Sequence, residues 1–171
     1  MIKNTKIYNA AFPRVMGPFK NILLFIFVLI FQLYWPSIYM NNQFNFQVDI
    51  ILIYITVLSI IYGRFSIIIV GFFAGLIQDA LILSSLGVFS LSKSIVAFCV
   101  GSIFNYRTIW SRRTQCLIIF LSYLGHFLIT SYLTKGLSGY AVYILISSMV
   151  PFVLLIIINS LIFKGRLLSN R

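Results

Sequence analysis

Long apolar runs separated by short polar breaks set the pattern of this chain. The runs cover residues 21–40, 46–62, 65–83, 86–104, 115–133 and 140–163, and the breaks between them are NNQFN, Gly63-Arg64, Ser84-Ser85, NYRTIWSRRTQ and TKGLSG. A bilayer-spanning helix needs about 20 apolar residues at a rise of about 1.5 Å each. The pattern therefore predicts an all-α integral membrane protein, a single bundle of six transmembrane helices with one short member. No internal repeat is evident and no linker is long enough to divide domains. Residues 1–20 read as a basic leader, 21–163 as the transmembrane domain and 164–171 as a basic tail.

Composition agrees with the pattern. Of 171 residues, 61% are hydrophobic and only 9% charged, against roughly 25% charged in a soluble domain. The net charge of +11 argues for nucleic acid only if the basic residues form a solvated face, and here they collect between apolar runs. No nucleic-acid partner is expected. Cytoplasmic loops are enriched in Lys and Arg, so the charges report topology. With the N-terminus inside, inner segments hold Lys3, Lys6, Arg14, Lys20, Arg64, Arg107, Arg112, Arg113, Lys164, Arg166 and Arg171. Lys135 alone falls in an outer loop, and Lys93 lies within a helix. Both termini are thus expected in the cytoplasm, with the lipid bilayer as the chain's main surroundings.

The leader resembles a secretory signal in its charge, but the run after it is too long for a signal core, and NNQFN offers no small-residue cleavage site. An uncleaved first span follows. Pro13, Gly17 and Pro18 argue against a long helix in the leader itself. Cys99 and Cys116 flank a loop assigned to a reducing compartment, so neither a disulfide nor a metal site is expected. Tyr34, Trp35, Tyr39 and Trp110 suit aromatic belts at the two interfaces. Pro151 is expected to kink the last helix, with Asn159 as an interhelical hydrogen-bonding group.

The unusual residues concentrate between Gly71 and Gly101. Asp49 and Asp79 are the two carboxylates of the chain, and a charge inside a span is unfavourable by about 2.5 to 3.5 kcal/mol on insertion scales. Asp79 and Lys93 each stand about seven residues from the turn at Ser84 to Leu86, about 10 Å below the outer helix ends. Equal depth predicts an intramembrane ion pair between them, shared with Gln78 and neighbouring serines. Gly71 and Gly75 form a GxxxG step that Gln78 extends. Gly87, Ser90, Ser94, Ala97 and Gly101 make a second small-residue stripe. Such faces permit close backbone approach, as internal packing or as a docking face for a partner helix. Internal packing is the simpler expectation.

Other chemistry has little support. A proton relay needs several titratable groups through the membrane, and only Asp49 and His126 remain; His126 beside Gly125 reads as an interhelical hydrogen-bonding residue. Gly136-Leu137-Ser138-Gly139 matches the GxSG string of rhomboid-type proteases, but their His follows the Ser, and here no His does. No catalytic residue, cofactor site or metal site is assigned.

Gly71-Phe72, Gly75-Leu76-Ile77-Gln78-Asp79, Leu86-Gly87 and Leu91-Ser92-Lys93 together resemble the MreD family of the bacterial rod-shape and cell-wall elongation machinery. Asp49 and the IILIY that follows it resemble the family's short second span, which often opens with Pro-Asp; here Val48 occupies the proline position. The resemblance implies a non-enzymatic scaffold subunit of the bacterial inner membrane. Its implied partners are MreC and, through the complex, MreB and RodA with its transpeptidase. It also implies an architecture similar to the S components of energy-coupling-factor vitamin transporters, which supplies the alternative function of a substrate-binding subunit. The outer loops NNQFNFQ, SSLG and TKGLSGY are short and nearly uncharged, which favours the scaffold.

Overall fold

The computed structural model describes residues 18–34, 38–41, 44–46, 48–62, 64–82, 87–106, 109–135 and 141–161. Its six described helices are α1 (Pro18–Tyr34), α2 (Ile50–Tyr62), α3 (Arg64–Ile82), α4 (Val88–Tyr106), α5 (Arg112–Lys135) and α6 (Ala141–Leu161). They follow the six apolar runs in order. Two of them, over Arg112–Leu133 and Ile144–Leu161, are long and apolar enough to cross a membrane; the apolar stretches Asn21–Gln32, Ile50–Tyr62, Phe65–Leu81 and Val88–Ile103 are shorter.

The largest departure from the apolar pattern lies between the first two helices. Where the first run extends to residue 40, α1 stops at Tyr34, and Ile38–Asn41 (β1) pairs antiparallel with Phe44–Phe46 (β2). Pro36 accounts for the stop, because a proline disfavours helical geometry at the residue before it. Tyr, Phe and Ile in the strands suit extended backbone as readily as helix. Hydropathy alone does not distinguish the two.

α2 and α4 form the middle of the bundle. α2 packs against α1, α3, α4 and α6, while α4 packs against α2, α3 and α5. An apolar cluster on one side joins Leu52, Ile60, Val96, Val100, Ile119 and Leu155 from α2, α4, α5 and α6. A second joins Ile51, Ile55, Ile67, Ala74 and Ala97 from α2, α3 and α4, with Phe25 and Val28 of α1 packed on it. Because both central helices contribute to both clusters, they are apolar almost all round. α1 presents Leu23, Phe27 and Phe31 outward, α3 presents Phe65 and Phe73, and α5 presents Leu117 and Leu121.

Polar side chains fasten α1 to α2 at both ends. Gln32 donates from Nε2 to the Val48 carbonyl at 3.0 Å, and its Oε1 accepts the Ile50 N–H at 2.7 Å. At the other end the Tyr54 hydroxyl donates to the Asn21 carbonyl at 3.0 Å, and Asn21 Nδ2 donates to the Tyr62 hydroxyl at 2.7 Å. Between these clasps Phe25 stacks on Tyr54 with ring centroids 5.9 Å apart.

Candidate functional site

Two polar constellations are built around the first two turns of α4. The first belongs to Asp79, near the end of α3. Its Oδ2 accepts the Gly87 N–H at 3.0 Å and the Ser90 N–H at 3.2 Å, and its Oδ1 accepts the Phe89 N–H at 3.0 Å. A helix begins with N–H groups that have no intrahelical acceptor and carry partial positive charge. A carboxylate from the preceding helix satisfies three of them at once, in a position where Asp79 is fully buried. Gly87 makes this possible through its left-handed backbone, φ 101°, which turns its N–H toward the carboxylate.

This arrangement overturns the expected Asp79 and Lys93 ion pair. The partner of Lys93 Nζ is Asp49 Oδ2, across the bundle at the start of α2. Direction, not depth along the helices, decides the contact. The backbone donors of α4 claim both oxygens of Asp79. Lys93, one turn further along, turns its flexible four-carbon arm toward α2, over the ring of Phe89 at 5.5 Å.

Asp49 is the hinge of the second constellation. It caps α2, with Oδ1 accepting the Leu52 N–H at 3.0 Å, as an acidic residue just before an apolar run is suited to do. Oδ2 receives Lys93 and stands 3.5 Å from His126 Nε2 of α5. Lys93, His126 and Asp49 are all buried. One carboxylate thus joins α2, α4 and α5. Deeper along the same interface, the Tyr123 hydroxyl donates to Thr56 Oγ1 at 2.9 Å, and Thr56 donates to the Leu52 carbonyl at 2.9 Å.

The small-residue faces pack on each other. A Cβ on Gly71 would lie 3.2 Å from the Lys93 carbonyl oxygen and 3.4 Å from Ala97 Cβ. A Cβ on Gly75 would lie 2.6 Å from the Phe89 carbonyl carbon and closer still to Ser90 Cα and N, so the two backbones touch there. Ala97 and Gly101 are buried, Ser90 Oγ donates to the Gly87 carbonyl at 3.0 Å, and Ser94 Oγ donates to the Ser90 carbonyl at 2.7 Å. Gln78 is buried beside this contact, but no ion-pair network includes it; its Oε1 meets no hydrogen-bond donor among the described residues. The GLSG string at 136–139, the turn at 83–86 and the leader before residue 18 lie outside the described residues.

Sequence reading missed Gln32, Tyr123 and its partner Thr56. Gln32 was signalled only by being a lone amide in an apolar run, and Tyr123 by nothing that separates it from the other tyrosines. Asp49 carried a clearer signal, an acidic residue directly ahead of an apolar helix. Among the described residues, no three His, Cys, Asp or Glu side chains are grouped as a metal site. Comparison with protein-family models, with curated proteins and with solved structures returns no match. Among the described residues, two buried carboxylates tie four helices together at this site.

Proposed function

We propose that the chain is a six-span protein of the bacterial inner membrane, with both termini in the cytoplasm. In this reading it serves as a non-enzymatic scaffold subunit of the rod-shape and peptidoglycan-elongation complex. MreC is its immediate partner, with MreB and RodA and its transpeptidase reached through the assembly. The six-span part is supported by the outward-facing Leu, Ile and Phe side chains on α1, α3, α4, α5 and α6. Apolar surface on that scale is rare on a protein in water.

The scaffold part rests on one observation. Asp49, Gly71, Gly75, Asp79, Gly87 and Lys93, which carry the resemblance to MreD, converge on the first turns of α4 although they are scattered along the sequence. Their groups are spent on holding helices together, as a scaffold requires. α4 still presents Leu91, Ile95 and Phe98 outward, although it is otherwise the most enclosed by neighbours with α2.

Photo-crosslinking amino acids at Leu91, Ile95 and Phe98, introduced one at a time in cells, test the reading. Recovery of MreC or another elongation protein is expected. Recovery of transporter subunits alone would replace the scaffold with the substrate-binding alternative.

A further inference from the structure

Outside the scaffold reading, and independent of it, lies the one imidazole of the chain. His126 is buried on α5, with Nε2 at 3.5 Å from Asp49 Oδ2 and Nδ1 without a hydrogen-bond partner among the described residues. The charged groups facing it among the described residues come from two helices. α2 supplies Asp49, and α4 supplies Lys93, which holds the same carboxylate oxygen. The nearest charge from α3 is Asp79, spent on the backbone of α4. The segment 141–161 of α6 contains no charged residue. Two aromatic rings also stand near it, Phe89 with its centroid 6.4 Å from the imidazole and Phe127 at 5.0 Å, and the Thr130 hydroxyl donates to the His126 carbonyl at 2.9 Å.

We propose that His126 is a proton-binding site whose occupancy unseats α5 from α2 and α4. A neutral imidazole with its hydrogen on Nε2 suits this place, since that hydrogen points toward Asp49 and Nδ1 needs no acceptor. Binding one proton at Nδ1 creates a donor with nothing to receive it. It also sets a second cation against a carboxylate that already serves Lys93. A buried charge or donor left without a partner is costly. The lower-cost response is for α5 to part from α2 at the end of the junction marked by Asp49, admitting water to the imidazolium rather than turning it to lipid. The hydrogen bond from Tyr123 to Thr56 and the apolar contacts below it would then be the next to loosen.

The sign of the effect follows from which form the seated helix accepts. A solvated imidazole is half charged near pH 6.5. If the seated state holds the neutral ring and the opened state titrates normally, the opening constant rises by about tenfold between pH 7.5 and 5.5. Stability of the junction is therefore present at the higher pH and lost as the solution is acidified. Carboxylates in water titrate below this window, so the histidine dominates the response.

The test uses the full chain in detergent micelles. Hydrogen exchange is followed along α5 at both pH values and corrected for the intrinsic pH dependence of exchange. A loss of protection of about tenfold is expected at pH 5.5, and His126→Gln, which keeps a donor without titrating, should abolish it. An equal response in both proteins, or no response in the wild type, overturns the proposal. If the variant does not fold, nitrogen-15 spectra of the single histidine decide. A ring that gains its proton together with loss of protection along α5 supports the site, whereas a ring mostly charged with α5 fully protected, or a ring neutral at pH 5.5 with protection unchanged, sinks it.

Discussion

Neutralising Asp49 isolates the energetics of the α2, α4 and α5 junction with little change of shape. Asp49→Asn retains an oxygen that can accept the Leu52 N–H, so the cap on α2 survives while the charge opposite Lys93 disappears. Lys93, with no exposed surface, is left as an ammonium in an apolar interior. Removing one member of a buried pair costs about 3–5 kcal/mol, because the other charge stays desolvated and uncompensated. At about 3 kcal/mol the folded fraction relative to unfolded falls by a factor on the order of 150. Lys93→Met should cost a comparable amount, since the Asp49 carboxylate would keep its bond from the Leu52 N–H and His126 nearby but lose its one full positive partner. The double variant Asp49→Asn, Lys93→Met removes both charges and should be closer to wild type than either single change, with a coupling energy of about 2 kcal/mol or more. Reversible unfolding in mixed micelles, with all four proteins measured under one condition, gives the cycle. Additivity within about 0.5 kcal/mol would falsify the pairing. So would a cycle in which Asp79→Asn, rather than Asp49→Asn, couples to Lys93.

Three further substitutions probe the α3 and α4 contact, each by the same unfolding measurement. Gly75→Ala should be among the most damaging single changes, about 3 kcal/mol or more, because the new methyl meets backbone that cannot step aside; Gly71→Ala, with a 3.2 Å approach, should cost clearly less, and equal costs would refute the helix register described here. Gly87→Ala meets no atom within 4 Å, so its penalty comes from the left-handed backbone alone, about 1–2 kcal/mol; a neutral result would mean that the turn relaxes without loss. Asp79→Asn keeps one acceptor and should cost about 1.5–3 kcal/mol, with Asp79→Ala worse because three N–H groups of α4 lose their acceptor. Recovery of Asp79→Asn by Lys93→Met would contradict the assignment of Asp79 to the backbone.

Helix number and order were legible because apolar runs and basic breaks are one-dimensional signals. So was the mutual packing of the Gly71, Gly75 face and the stripe beginning at Gly87, since small residues at helical spacing have few other uses in so apolar a chain. Partner choice was not legible. Asp79 and Lys93 were matched by depth, yet a helical wheel says nothing of backbone donors, and the three N–H groups at the start of α4 are invisible in a list of side chains. Asp49 was not matched to Lys93, because the two lie 44 positions apart in the sequence. The hairpin at 38–46 escaped because Ile, Tyr and Phe satisfy helix and strand hydropathy alike. In each case the missing quantity was an azimuth or a backbone angle, which periodicity constrains weakly for helices that are apolar nearly all round.

The two carboxylates divide a single task in a way that a simple ion pair could not. Asp79 serves the backbone of α4, and that bond holds whichever way α4 is rotated about its own axis by small amounts, because the donors lie near the axis. It therefore fixes where α4 starts, and the Gly75 contact fixes how near α3 comes. Rotation is set separately, by Lys93 reaching Asp49 on the far side, and Asp49 is itself held in place by capping α2. An Asp79 and Lys93 pair would have tied two adjacent helices that their turn already joins. Joining α4 to α2 instead links helices separated by all of α3, where connection by the chain alone is loosest. A bundle that presents apolar faces at fixed angles gains most from constraints of this long-range kind.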